Sequence, residues 1–193
     1  MLLIRKIVLP IVLGASLVLG ACTPAIVGGV ERSTGRAIDD FSIQTRLSRN
    51  LHRSSDDDYK NIDLEVVEAR VLMTGRVASE EVRLEATRVA WGTNGVDEVI
   101  NELEVSDRGV GIIRPGDTWI TNRLRGRLVG DSGVRQANYH IETLHGTVYL
   151  FGIAQSQEEL ERAAGHARTL RGVDRVVTHV RIKQQRPSLD QGA

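Results

Sequence analysis

Residues 40–105 align with residues 117–182 without a gap, and 18 of the 66 pairs are identical. A duplication on that scale constrains the fold more than composition does, because any packing solution has to serve twice. The identities include Asp40/Asp117, Ile43/Ile120, Leu47/Leu124, Asn61/Asn138 and Gly75/Gly152. They continue through Ala86/Ala163, Ala90/Ala167, Gly95/Gly172, Val96/Val173 and Val99/Val176. Other pairs, such as Leu64/Ile141 and Leu103/Val180, keep their apolar character. Two copies are too few for a solenoid, so the chain reads as two similar small domains.

Each copy carries the same local signals. Ile43, Leu47 and Leu51 recur every fourth residue, as do Ile120, Leu124 and Leu128, which is one apolar stripe of a helix. Asp40 and Asp117 stand where a helix N-cap acceptor belongs. A polar loop is expected over 54–60 and 130–137. Extended runs follow at 61–68 and 70–77, and at 138–145 and 147–153. His145-Gly146 offers a hairpin turn between the second pair, whereas Glu68-Ala69 is a weaker turn signal. A second helix is expected over 79–91 and 156–169, started by Ser79 and Ser156 and stopped by Gly95 and Gly172. A last strand covers 96–105 and 173–182. The order is helix, strand, strand, helix, strand. That order predicts an α+β unit, a three-stranded mixed sheet covered by two helices.

The N-terminus has a different character. Arg5 and Lys6 precede an apolar run from Ile7 to Leu19, and then come Leu19-Gly20-Ala21-Cys22. That is the layout of a secretory signal. The run is short for a permanent span, which needs roughly 20 apolar residues. Leu, two small residues and then Cys resembles a bacterial lipobox, which implies cleavage before Cys22 and lipid on its sulfur. The alternative is an ordinary signal with an incidental cysteine. Cys22 is the chain's one cysteine, so an intramolecular disulfide is impossible. Several acyl chains on one residue give stable anchoring. Thr23 stands where enteric lipoproteins kept at the inner membrane carry Asp. By that resemblance the protein belongs on the outer membrane, facing the periplasm.

The strand ends Gly75-Arg76-Val77 and Gly152-Ile153-Ala154, the alanine-rich helices, and the runs Gly95–Val99 and Gly172–Val176 resemble the BON domain. The expected layout is a signal peptide over 1–21, lipidated Cys22 with a flexible tether to 38, and BON domains over 39–106 and 117–183. A linker over 107–116 and a polar tail over 184–193 complete it. Lipobox and two BON domains together resemble the dual-BON outer-membrane lipoproteins of the DolP type. Asp117–Thr121 is close to that group's second-domain helix start. Ala69 departs from the family pattern, where a turn glycine is usual.

Catalytic signals do not stand out. The five histidines, His52, His140, His145, His166 and His179, form no helix-spaced metal pair and have no Cys partner. No Gly-x-Ser-x-Gly elbow or phosphate loop is present. Asp56-Asp57-Asp58 lacks the glycine and terminal Glu of a calcium loop. The expectation is therefore no enzyme, no cofactor and no metal. Charge is more telling. Residues 40–105 carry 14 acids and 8 bases, net −6, whereas 117–182 carry 7 acids and 9 bases, net +2. Arg108, Arg114, Lys183 and Arg186 extend the basic end. The second copy is the one suited to an anionic surface. Compartment excludes nucleic acid.

Trp119 sits one residue off the core stripe, about 100° around the helix. Arg123 shares its face four residues on. The matching residue in the first copy is Ser42, so the fold does not demand an aromatic there. The BON resemblance implies that Trp119, with Arg123 and Arg127, meets phospholipid headgroups. The alternative is that Trp119 packs on the first domain. Trp91, beside Gly92, reads as a packing residue. The functional expectation is a non-enzymatic, lipid-anchored protein that binds anionic phospholipid and supports outer-membrane integrity. Its rivals are a module that docks an envelope protein partner and a purely structural stress lipoprotein.

Overall fold

The computed structural model describes residues 34–106 and 114–183. The expected signal peptide, Cys22, the tether up to residue 33, linker residues 107–113 and the tail 184–193 lie outside the described residues.

The first copy folds as α1 (Thr34–Ser54), a short α2 (Asp56–Tyr59), β1 (Ile62–Val67), β2 (Arg70–Val77), α3 (Glu80–Trp91), β3 (Glu98–Asn101) and β4 (Glu104–Val105). The second folds as α4 (Pro115–Val129), a 3-10 turn (Gln136–Asn138), β5 (Tyr139–Leu144), β6 (Thr147–Ala154), α5 (Gln157–Arg168) and β7 (Arg175–Ile182). In each, the first two strands form an antiparallel hairpin and the last lies parallel to the middle one. That is the mixed sheet expected, and two helices cover one face of it. Ile43, Leu47, Leu51, Ala86 and Ala90 meet Val71, Met73 and Val77 in one core. Ile120, Leu124, Leu128, Ala163 and Ala167 meet Val148, Leu150 and Ala154 in the other. The alanines let α3 and α5 approach their sheets closely. Ser79 and Ser156 cap those helices, accepting from Val82 N–H and Glu159 N–H at 3.4 and 3.2 Å.

Several boundaries differ from the sequence reading. α1 starts at Thr34, so the last residues assigned to the tether are helical. α4 starts at Pro115, so two residues assigned to the linker belong to it; proline suits the first helical position. The expected loop at 54–60 contains α2, whose cap Ser55 accepts from Asp58 N–H at 3.4 Å. The first copy's last strand is split between β3 and β4. There Asn101 accepts from Leu103 N–H at 2.9 Å and donates to Thr87 at 2.6 Å, which pulls the chain off the ladder. Thr178 takes its place in the second copy, where β7 runs unbroken.

Asp40 and Asp117 are not N-cap residues. Both lie inside their helices and are buried. Each carboxylate reaches across to the hairpin turn of its own sheet. Asp117 accepts from His145 and Gly146 N–H at 2.8 and 3.0 Å. Asp40 accepts from Glu68 and Ala69 N–H at 3.0 and 2.9 Å. Both turns have two residues of positive φ: Glu68 (52°) and Ala69 (60°), then His145 (51°) and Gly146 (79°). This is the primed turn that suits the twist of a hairpin. Ala69 forms it despite its Cβ because Asp40 ties down both turn amides. Ala69→Gly is therefore expected to stabilise the first domain by about 0.5–1 kcal/mol, after the unfolded-state entropy of glycine is counted. A rise of several degrees in thermal midpoint checks it; an unchanged or lower midpoint counts against strain at Ala69.

The two sheets lie against each other through the faces that carry no helices. β2 and β6 are buried almost end to end, on both faces. Val67, Leu72, Phe151 and Ile153 form a third core at this seam, with Ile100 packed on it. Arg70, only 4% exposed, lays its guanidinium over the Phe151 ring, 5.1 Å from its centre. It donates to Glu98 and to the His179 carbonyl, both at 3.1 Å. Burial opposes ionisation of Glu98, but Arg70 and Arg181 prevail and hold its carboxyl below the usual range. The layers run helices, sheet, sheet, helices.

Candidate membrane-facing site

α4 buries Asp117, Ile120, Leu124 and Leu128. Trp119 therefore lies on its outer side and is 52% exposed. The alternative that Trp119 packs on the first domain is overturned. The seam is made by sheet faces, and α4 lies on the far side of its own sheet. Trp119 instead forms one wall of a shallow groove of about 440 Å³ within the second domain. The Asp117–turn contact brings Gly146 to its floor, and the Gly172 turn brings Arg171 to its rim.

The arginines divide into two groups. Arg123 and Arg171 are exposed and have no hydrogen-bond or ion-pair partner among the described residues. Arg114 is loosely held, 3.4 Å from the His145 carbonyl and 3.9 Å from Asp174. Arg127 is committed elsewhere. It donates to the His166 carbonyl at 3.3 Å and to Thr169 at 2.8 Å, closing the C-terminal end of α5. It is a tie between the two helices. Sequence reasoning missed Arg171, because its place beside Trp119 depends on the turn that follows α5. Arg114 was noted for its charge alone.

The first copy has a matching groove of about 510 Å³ around Asp40, Ile43, Ala69 and Gly95. Its chemistry differs, because acids and arginines are mixed there and Arg46 and Arg181 also line it. Asp39, Glu68 and Asp97 line it, and Arg36 donates to Glu68 at 2.7 Å. Of these two grooves, the second pairs an exposed indole, Trp119, with Arg171, a cation that has no partner among the described residues. Trp91 is 54% exposed at the end of α3, so its reading as a packing residue is also wrong. The buried face of α3 is Ala86 and Ala90, and Trp91 falls about 100° beyond it. No helix among the described residues is long and apolar enough to cross a membrane.

The BON domain model matches residues 39–107 and 116–184. An uncharacterized protein from the gshII 5′ region of Anaplasma centrale is 38% identical over 77% of this chain and 98% of its own length. The outer membrane lipoprotein DolP of Haemophilus influenzae is 28% identical over 88% of this chain and 92% of its own. A 21 kDa hemolysin of Actinobacillus pleuropneumoniae is 30% identical, with 79% of each chain covered.

Proposed function

The chain belongs to the BON-domain family, and from that premise we propose a non-enzymatic envelope protein, lipid-anchored at Cys22, whose second domain binds anionic phospholipid. The observation that supports this reading is an exposed Trp119 with Arg171 at the rim of its groove and Arg123 one helical turn along α4, both cations without a partner among the described residues. An indole prefers the boundary between headgroups and acyl chains, and guanidinium groups pair with phosphate. Arg114 adds a second positive charge at the groove, while Arg127 is engaged with the C-terminal end of α5. The lipoprotein name of the Haemophilus relative supports an outer-membrane location. Lipid on Cys22 then keeps the domain at high local concentration near headgroups, so weak binding suffices.

A Cys22→Ser chain, which removes the anchor, separates the protein's own affinity from that of its lipid. It is expected to co-sediment with phosphatidylglycerol vesicles and not with phosphatidylcholine vesicles. Binding should fall steeply with added salt, as exposed charge pairs do. Trp119→Ala should weaken binding about tenfold, the loss of roughly 1.5 kcal/mol of apolar burial. Equal recovery of Trp119→Ala and its parent would remove Trp119 from the site. Salt-insensitive binding would remove the arginines.

A further inference from the structure

Three of the five histidines lie in the second domain and face carboxylates of the first across the seam. His179 Nε2 is 2.7 Å from Glu102, and His145 Nδ1 is 3.7 Å from Glu104. The third, His140, has different surroundings. β1 turns Asp63 and Glu65 toward the seam, and β5 turns His140 and Glu142 toward it, because alternate strand residues share a face. Three carboxylates thus meet one imidazole.

A carboxylate oxygen of Asp63, a ring nitrogen of His140 and a carboxylate oxygen of Glu142 all lie within 4.8 Å of one another. His140 Nδ1 is 3.3 Å from Glu65 Oε2. Its Nε2 is buried and has no hydrogen-bond partner among the described residues. Glu142 contacts the Thr74 hydroxyl. The seam here thus gathers three carboxylates around one imidazole whose buried Nε2 has no hydrogen-bond partner among the described residues.

We propose that Asp63, His140 and Glu142 form a divalent transition-metal site that clamps the two domains together, with Glu65 as a positioning residue. One imidazole and two carboxylates suit zinc and its neighbours better than calcium, which prefers oxygen alone. Glu65 accepting from Nδ1–H fixes the tautomer that offers Nε2, the usual carboxylate–histidine–metal arrangement. Ligand bonds of about 2.1 Å place tetrahedral ligand atoms roughly 3.4 Å apart, so the three side chains need only close by about an ångström. Water would complete the shell on the exposed Asp63 side. The clamp joins one strand from each domain, Asp63 from β1 and the other two ligands from β5.

Zinc and cobalt titrations of the full chain carrying Cys22→Ser test this, since that substitution removes the lone thiol as a competing ligand. The expected result is one saturable equivalent, visible cobalt absorption, and a zinc-dependent rise in melting temperature. His140→Ala, Glu142→Gln and Asp63→Asn should each weaken binding roughly tenfold or more. His52→Ala, on the exposed side of α1, should leave it unchanged. Glu142→Gln preserves shape and removes only charge, so it remains informative if His140→Ala proves unstable. Absence of saturable zinc binding, or equal binding by Glu142→Gln and its parent, overturns the site.

Discussion

Gly152→Ala is expected to unfold the second domain under conditions where the parent chain is stable. Gly152 sits in the middle strand β6 with φ at 147°, opposite Tyr139. A Cβ there would stand 2.0 Å from the Asn138 carbonyl oxygen and 3.1 Å from its carbon. Both are backbone atoms, so no side-chain rotation relieves the clash. Asn138 is itself buried at the end of the 3-10 turn that feeds β5. The hairpin must therefore part where it is most enclosed, or the turn must unwind. A cost of roughly 4 kcal/mol or more is expected, a large share of the 5–15 kcal/mol that holds most domains. Urea unfolding followed by Trp119 fluorescence in a Trp91→Phe background reads the second domain alone. A stability loss under about 1 kcal/mol would show that the strand has another way to accommodate a methyl group. Gly75→Ala should do the same to the first domain, where the Asn61 carbonyl oxygen stands at 2.1 Å.

Asp117→Ala is the second large effect. The carboxylate is 2% exposed and holds three backbone amides: His145, Gly146 and, at 3.3 Å, Arg114. Alanine strands the two turn donors away from water, at about 1–3 kcal/mol each. A total near 3 kcal/mol is expected, because the loosened turn regains some water. Asp117→Asn keeps one acceptor but points an amide at a donor, so its loss should be intermediate. Amide exchange at His145 and Gly146 should quicken in both variants before global unfolding does. The same change should weaken vesicle binding, since the contact shapes the groove floor below Trp119. Unchanged exchange at those two amides would mean that the turn is held by something other than Asp117.

Much of this was legible in the repeat. Ser79 and Ser156, the alanine pairs and the paired glycines placed the helices and strands because each acts locally. Asp40 and Asp117 were visible as a repeated acid at a helix start, yet their partners lie 28 and 29 residues away. A local capping rule reaches only Asp117's bond from Arg114 N–H, at 3.3 Å, and misses the tertiary contact. The seam was hidden for a similar reason. Arg70, Leu72, Thr74 and Arg76 alternate like the solvent face of a sheet, although Tyr149 and Phe151 in the matching strand hinted otherwise. Arg127 looked equivalent to Arg123 on charge alone; only the position of α5 separates them. The metal cluster was invisible because its residues come from two strands of two domains, at no motif spacing.

The sheet-on-sheet seam gives the charge asymmetry a meaning that composition did not suggest. Two copies of one fold joined through one face amount to a homodimer written into a single polypeptide. Two halves in one chain are under no requirement to be self-complementary, as the two faces of a homodimer are. Glutamates gathered on one side, Glu65, Glu98, Glu102 and Glu104, and His140, His145, His179 and Arg181 on the other. Either half placed against its own twin would now set like charges together, at a cost of several kcal/mol. The chain thus closes on itself and discourages exchange of halves between neighbouring molecules, a matter of most weight if the proposed lipid anchor crowds them on one surface.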